Sequence, residues 1–136
     1  MQHLLKFCQL APADRRLLFE AAFTLAVTRL ALWCLPFRVW SARPAPPLGS
    51  SDAPQPKPAR LAWAVATAAR VVPCATCLVQ ALAARRMFAH HGYPSSVRIG
   101  VANSREAGFA AHAWLEHEGS VLAGSATGPF TPLHSL

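Results

Sequence analysis

Cys77 follows Thr76 and opens an apolar, alanine-rich run, CLVQALAARRMFAHH (77–91), which Gly92 and Pro94 stop. Threonine is a good helix N-cap, so Cys77 is expected as the first helical residue. There, unpaired backbone N–H groups and the positive end of the helix dipole stabilise a thiolate. A second reactive side chain, His112, lies in GFAAHAWLE (108–116). Strand alternation puts His112, Trp114 and Glu116 on one face and Phe109, Ala111, Ala113 and Leu115 on the other. A helix packed across that strand brings Cys77 toward His112. Such a pair is the smallest unit of acyl-transfer chemistry, the imidazole acting as base to the thiol and then as acid to the leaving amine. On residue types alone the pair is not distinctive, since small apolar-rich chains also bury cysteine and histidine for packing. Gln80, one turn into the helix, and Trp114, beside the histidine, are candidates for the cleft wall. Surface and core positions are their ordinary alternatives.

The elements that must position these groups read as follows. Residues 14–40, DRRLLFEAAFTLAVTRLALWCLPFRVW, are the most apolar stretch. Arg29 in mid-span argues against a membrane crossing, and Arg16, Glu20, Thr24 and Thr28 draw one narrow polar stripe. A helix buried on most of its circumference is expected, with Asp14 as N-cap and Pro36 bending or ending it. The competing reading is a membrane-surface or partner-docking helix that exposes Trp33, Phe37 and Trp40 beside Arg38. Residues 41–58 hold six prolines with Gly49 and three serines, a linker composition. The chain therefore divides into an N-terminal helical segment (1–40), a linker (41–58) and a core (59–136). Within the core, Arg60–Val72 and Cys77–His91 read as helices, and Val97–Val101, Phe109–Glu116 and Ser120–Gly124 as strands of a meander turning at Glu118-Gly119. Helices followed by antiparallel strands make an α+β fold.

Composition bounds the function. With 136 residues there is room for one domain, and 53% hydrophobic against 14% charged residues excludes disorder for most of the chain. A net charge of +7 favours an acidic partner: a peptide, a nucleic acid or an anionic membrane surface. Nucleic acid is not expected, because no aromatic interleaving or known binding module accompanies Arg85, Arg86, Arg98 and Arg105. No secretory signal is visible, so Cys8, Cys34, Cys74 and Cys77 are read as free thiols in a reducing cytoplasm. Cys74-Ala-Thr-Cys77 also suits a thiol-redox pair, although such a pair follows a strand and the segment before it is helical in composition. Zinc on these thiols with His90 and His91 is not expected, since adjacent histidines on a helix diverge by ~100° and no later histidine has ligand spacing. No metal or cofactor is expected. His3, His90, His91, His117 and His134 read as surface or turn residues.

The run CLVQALAARRMFAHHGYPSSVRIGV, with GFAAHAWLE and HEGSVL after it, resembles the lasso peptide biosynthesis B proteins. These are leader peptidases of the transglutaminase-like, papain-related cysteine protease group. The resemblance is specific at Cys77-Leu78, at Gly92-Tyr93-Pro94 before Val-Arg-Ile-Gly-Val, and at Ala111-His112-Ala113-Trp114 before a Glu-Gly turn. Leu35-Pro36-Phe37-Arg38 extends it toward the N-terminus. It implies a papain-like or transglutaminase-like core in which the Cys77 helix packs on an antiparallel sheet. It also implies an enzyme that cuts the leader from a ribosomally made precursor so that a cyclase can close the macrolactam. Cys77 is then the nucleophile and His112 the base. The first 60 residues lack the alternation of a leader-recognition domain, so the chain resembles the split form, whose partners are the precursor peptide, a separate leader-binding protein and the lasso cyclase. Cytoplasmic location, with membrane-surface association as an option for residues 17–40, completes the expectation.

One position departs from the family. An acidic residue on the strand after the histidine should orient the imidazole, and none is present there. A two-residue turn pairs His117 with Ser120, Trp114 with Ala123 and His112 with Ser125, making Ser125 the best-placed third member. Glu116 and Glu118 are acidic alternatives. The gap also admits a degenerate adaptor that presents the precursor to the cyclase without cutting it.

Overall fold

The computed structural model describes residues 10–36, 38, 54–104, 108–123 and 131–135. Its elements, in order, are α1 (Pro12–Cys34), α2 (Pro58–Ala68), α3 (Cys77–His90), β1 (Ser96–Ser104), β2 (Gly108–His117), β3 (Ser120–Ala123) and β4 (Thr131–Ser135).

Helix boundaries follow the prolines more closely than expected. Helix α1 begins at Pro12, whose fixed φ and missing N–H suit the first helical position, and its N-cap is Ala11 rather than Asp14. Asp14 lies inside the first turn and accepts from Arg60 Nε of α2 at 3.0 Å, with a second contact from the same guanidinium. The helix stops at Cys34, short of residue 40. Leu35 is already extended (φ −121°, ψ 143°), as the residue before Pro36 must be to avoid the proline ring. Helix α2 opens on Pro58 and ends at Ala68 rather than Val72. The chain then tightens into turns through Arg70 N–H to Thr67 O and Val71 N–H to Ala68 O before reaching Pro73. Residues 39–53, most of the expected linker, lie outside the described residues.

Helix α3 conforms to its local signals. The Thr76 side chain accepts from Val79 N–H, so Cys77 is the first helical residue as expected. Its far end is a Schellman closure. Gly92 N–H bonds Ala89 O and Tyr93 N–H bonds Phe88 O, with Gly92 at φ +78° and the Tyr93 ring edge-on to Phe88 at 6.1 Å.

The orientation of α1 differs from expectation. Leu17, Leu18, Ala21 and Leu25 enter the same core as Leu61, Ala64 and Val65 of α2 and Val79, Leu82, Met87 and Phe88 of α3. The segment before the linker thus shares one core with the segment after it. The opposite face is apolar and open: Phe19 is 66% exposed, Phe23 71%, Leu30 56% and Trp33 86%. The helix is therefore not buried on most of its circumference. By length and composition it could also cross a membrane, with 28% of its apolar window buried in the protein. Of the expected polar stripe, Arg16 is exposed, Glu20 and Thr24 are half-buried and Thr28 is fully buried, so only its later members turn inward. Small threonines permit close approach to α2 and α3, where the bulky aromatics of α1 would not fit. Thr24 Oγ1 donates to Glu20 O at 2.7 Å, whereas Thr28 Oγ1 has no hydrogen-bond partner. An unmatched buried hydroxyl costs about 1–3 kcal/mol. Thr28→Val, which keeps the shape and removes the hydroxyl, is expected to raise the unfolding free energy by about 1 kcal/mol in urea denaturation.

The sheet is antiparallel with order β3-β2-β1-β4. Strand β4, not anticipated, pairs with the outer edge of β1. An edge position tolerates Pro132, which cannot donate to a ladder, and it sits opposite Gly100 beside a register shift. The hairpin between β2 and β3 turns on Glu118 (φ 48°) and Gly119 (φ 77°), the left-handed pair that a tight two-residue connection needs. His117 pairs with Ser120 as expected, but a bulge at Leu115/Glu116 then moves the register by one, so Ala123 faces Leu115 and not Trp114. The helices cover the sheet face carrying Val97, Ala113, Leu115 and Ala123.

Candidate active site

The loop before α3 is held from two sides. Cys74 adopts φ 56°, a left-handed conformation unusual outside glycine, and its carbonyl accepts from Thr76 N–H at 2.9 Å and from Arg29 Nη1 of α1 at 2.9 Å. The Gln80 side chain folds back onto the same loop, Nε2 donating to Ala75 O at 2.7 Å. Gln80 is thereby a brace for the turn that delivers Cys77, which is half-buried with a free thiol. Cys74 is exposed and also free. What precedes this loop is α2, a helix, so the strand that leads into a thioredoxin-like pair is missing. Holding a residue with a Cβ in the left-handed region costs about 1–2 kcal/mol. Cys74→Gly is therefore expected to gain about 0.5–1 kcal/mol in chemical denaturation, after the greater flexibility of glycine in the unfolded chain is offset.

Strand β2 divides its side chains as the alternation predicts. Ala113, Leu115 and His117 point to the helices; His112, Trp114 and Glu116 point away. On that outer face the His112 and Trp114 rings stack at 6.4 Å and 21°. Trp114 Nε1 donates to Glu116 Oε1 at 2.9 Å, and Arg98 Nε of β1 donates to Glu116 Oε2 at 3.1 Å. Glu116, considered as a third catalytic member, thus has both oxygens engaged in fixing Trp114 and Arg98. Glu118 sits in the exposed turn, 4.0 Å from His117 Nε2. Ser125 lies outside the described residues, and the register that pointed to it is displaced at the bulge. His117 is not the surface residue expected. It is buried against Phe88 (5.5 Å) and Tyr93 (5.7 Å), with Nδ1 donating to Pro94 O at 2.6 Å.

That Phe88–His117 contact registers α3 on β2. From it, the helix runs back ~16 Å to Cys77, and the strand runs back ~17 Å to His112. Cys77 belongs to the helix layer, whereas His112 is on the sheet face turned away from it, so, contrary to expectation, the strand does not present His112 toward Cys77. There His112 faces Gly100 across the ladder, a position without a side chain, and lies past the last described pairing of β3 at Leu115.

The structure also corrects the expected divergence of His90 and His91. Helix α3 ends between them, and their rings meet edge to face at 5.1 Å. His91, expected at the surface, is half-buried against Glu20 of α1.

Helices packed on one face of an antiparallel sheet, with Cys77 as the first residue of the sheet-packed helix, define an α+β fold. The chain belongs to the transglutaminase-like superfamily, matching that family over residues 21–135. Members of this superfamily are generally cysteine-dependent enzymes and include cysteine peptidases and transglutaminases. Comparisons with curated proteins and with solved structures found no match. The matched region begins inside α1, so the family unit takes in most of the N-terminal helix as well as Cys77 and His112.

Proposed function

We propose that the chain is a cytoplasmic cysteine peptidase that removes the leader from a ribosomally made lasso precursor, acting with a separate leader-binding protein and ahead of the macrolactam-forming cyclase. The observation that carries this reading is Cys77 at the capped start of α3, inside a superfamily of cysteine-dependent enzymes. The motifs Cys77-Leu78, Gly92-Tyr93-Pro94 and Ala111-His112-Ala113-Trp114 supply the narrower assignment.

In this mechanism His112 takes the proton of Cys77, and the thiolate attacks the scissile carbonyl carbon. The oxyanion is held by N–H groups at the start of α3. Collapse breaks the C–N bond, and the amine of the core peptide leaves with the proton from His112. The leader remains as a thioester on Cys77. Water, deprotonated by His112, hydrolyses it to a carboxylate and restores the thiol. No cofactor enters these steps. The mechanism requires the His112 ring to leave its stack on Trp114, on the sheet face away from the helices, and reach Cys77.

The engagement of Glu116 by Trp114 and Arg98 favours a second reading, a degenerate adaptor that presents the precursor without cutting it. Mass spectrometry of a lasso precursor incubated with the native chain and the leader-binding protein separates the two. Release of an intact leader supports the peptidase. An uncut precursor that still copurifies with the chain supports the adaptor.

A further inference from the structure

Glu20 on α1 meets the two histidines that close α3. His91 Nε2 lies 3.1 Å from Glu20 Oε1 and 3.3 Å from Oε2, and His90 Nε2 lies 3.9 Å from Oε1. One ligand atom from each residue falls within 4.8 Å of the other two. Zinc bonds of ~2.0–2.2 Å in tetrahedral geometry place ligand atoms ~3.3 Å apart. The Glu20–His91 spacing already matches this, and a modest rotation brings His90 into range.

The other nitrogen of His91 strengthens the case. Nδ1 lies 3.2 Å from Gln55 Oε1, a contact that orients the ring. With Nδ1 directed at Gln55, Nε2 is the nitrogen turned toward Glu20 and the one available to a metal ion. Outer hydrogen bonds of this kind fix the tautomer of metal-binding histidines. The site stands at the end of α3 remote from Cys77, ~20 Å along the helix.

We propose that Glu20, His90 and His91 bind a divalent transition-metal ion. Two imidazoles and a carboxylate suit zinc, with a fourth position for water. The ion fastens α1 to the C-terminal end of α3, joining segments that the chain separates by the proline-rich stretch. This site is independent of the peptidase reading.

The test is calorimetric titration of zinc chloride into the reduced full-length chain, with cobalt(II) as a spectroscopic probe. One zinc per chain is expected, together with a higher thermal midpoint and visible cobalt d–d bands free of thiolate-to-cobalt absorption. Glu20→Gln and His91→Ala should abolish binding. Gln55→Ala, on an exposed contact that leaves the fold intact, should weaken it about 10- to 100-fold. Cys74→Ala and Cys77→Ala should leave it unchanged. Three results overturn the proposal: no binding by the native chain at micromolar zinc, binding that survives Glu20→Gln and His91→Ala, or cobalt spectra showing thiolate ligation.

Discussion

Replacing Cys77 with alanine is expected to lower the rate of leader release at least about 10³-fold. Removing a nucleophile leaves substrate binding but no route to the acyl intermediate. His112→Ala should fall nearly as far, because nucleophile and base act as a unit and losing either stops the same step. Cys74→Ala should keep most of the activity, since the contribution of Cys74 is its backbone, which holds Arg29 and Thr76 through the carbonyl. Initial rates of leader release, followed by mass spectrometry with the leader-binding protein present, give the comparison. Equal loss in the Cys74 and Cys77 variants would point to a thiol pair. A Cys77→Ala chain that still supports maturation would establish the adaptor.

The second large effect concerns Phe88. Its ring is fully buried in α3 and meets Tyr93 and His117 edge-on, so it joins the helix closure to the sheet. Truncating a buried phenylalanine costs about 3–5 kcal/mol through lost burial and the cavity left behind. Set against a total stability of about 5–15 kcal/mol for a domain, Phe88→Ala is expected to unfold a large part of the population near 37 °C. Thermal denaturation followed by circular dichroism reads this directly. A loss below about 1 kcal/mol would mean that α3 does not present this face to β2.

The two effects differ in kind, and the difference is diagnostic. Cys77 is half-buried at a helix start, and its removal should leave the melting curve nearly unchanged while activity disappears. Phe88→Ala should lose activity only in proportion to the folded fraction. Measuring activity and stability on the same preparations distinguishes a chemical role from a structural one.

Several features of the site were legible from the residues alone. Thr76 as cap, Cys77 as first helical residue, Gly92 closing α3, and Glu118-Gly119 turning the hairpin all rest on hydrogen bonds or backbone angles within a few positions. Such short-range preferences are written into neighbouring residue types. The alternation that places His112, Trp114 and Glu116 together is equally local, and the strand preserves it. The α+β order of helices and strands followed from the change of period near Val97.

What escaped the sequence depends on residues far apart in the chain. Which side of α1 is buried was decided by the close packing of α2 and α3, which accept Thr28 and exclude Phe19, Phe23 and Trp33. Composition alone shows an apolar helix and not its outward face. The bulge at Leu115/Glu116 is a compromise between two strands, so a register extrapolated from the turn drifts by one residue. Strand β4 gains its place only by pairing with β1 across the sheet, and a segment containing Pro132 gives little local sign of it. Glu116 was committed by Arg98 on the neighbouring strand, and Glu20 met His91 across the distance from α1 to the end of α3. The sequence by itself determined the candidate reactive residue types and the local geometry that sets Cys77 at the capped start of α3. Only the tertiary structure decided which side chains became their neighbours, because those contacts are selected by packing among elements and not by the preferences of any one of them.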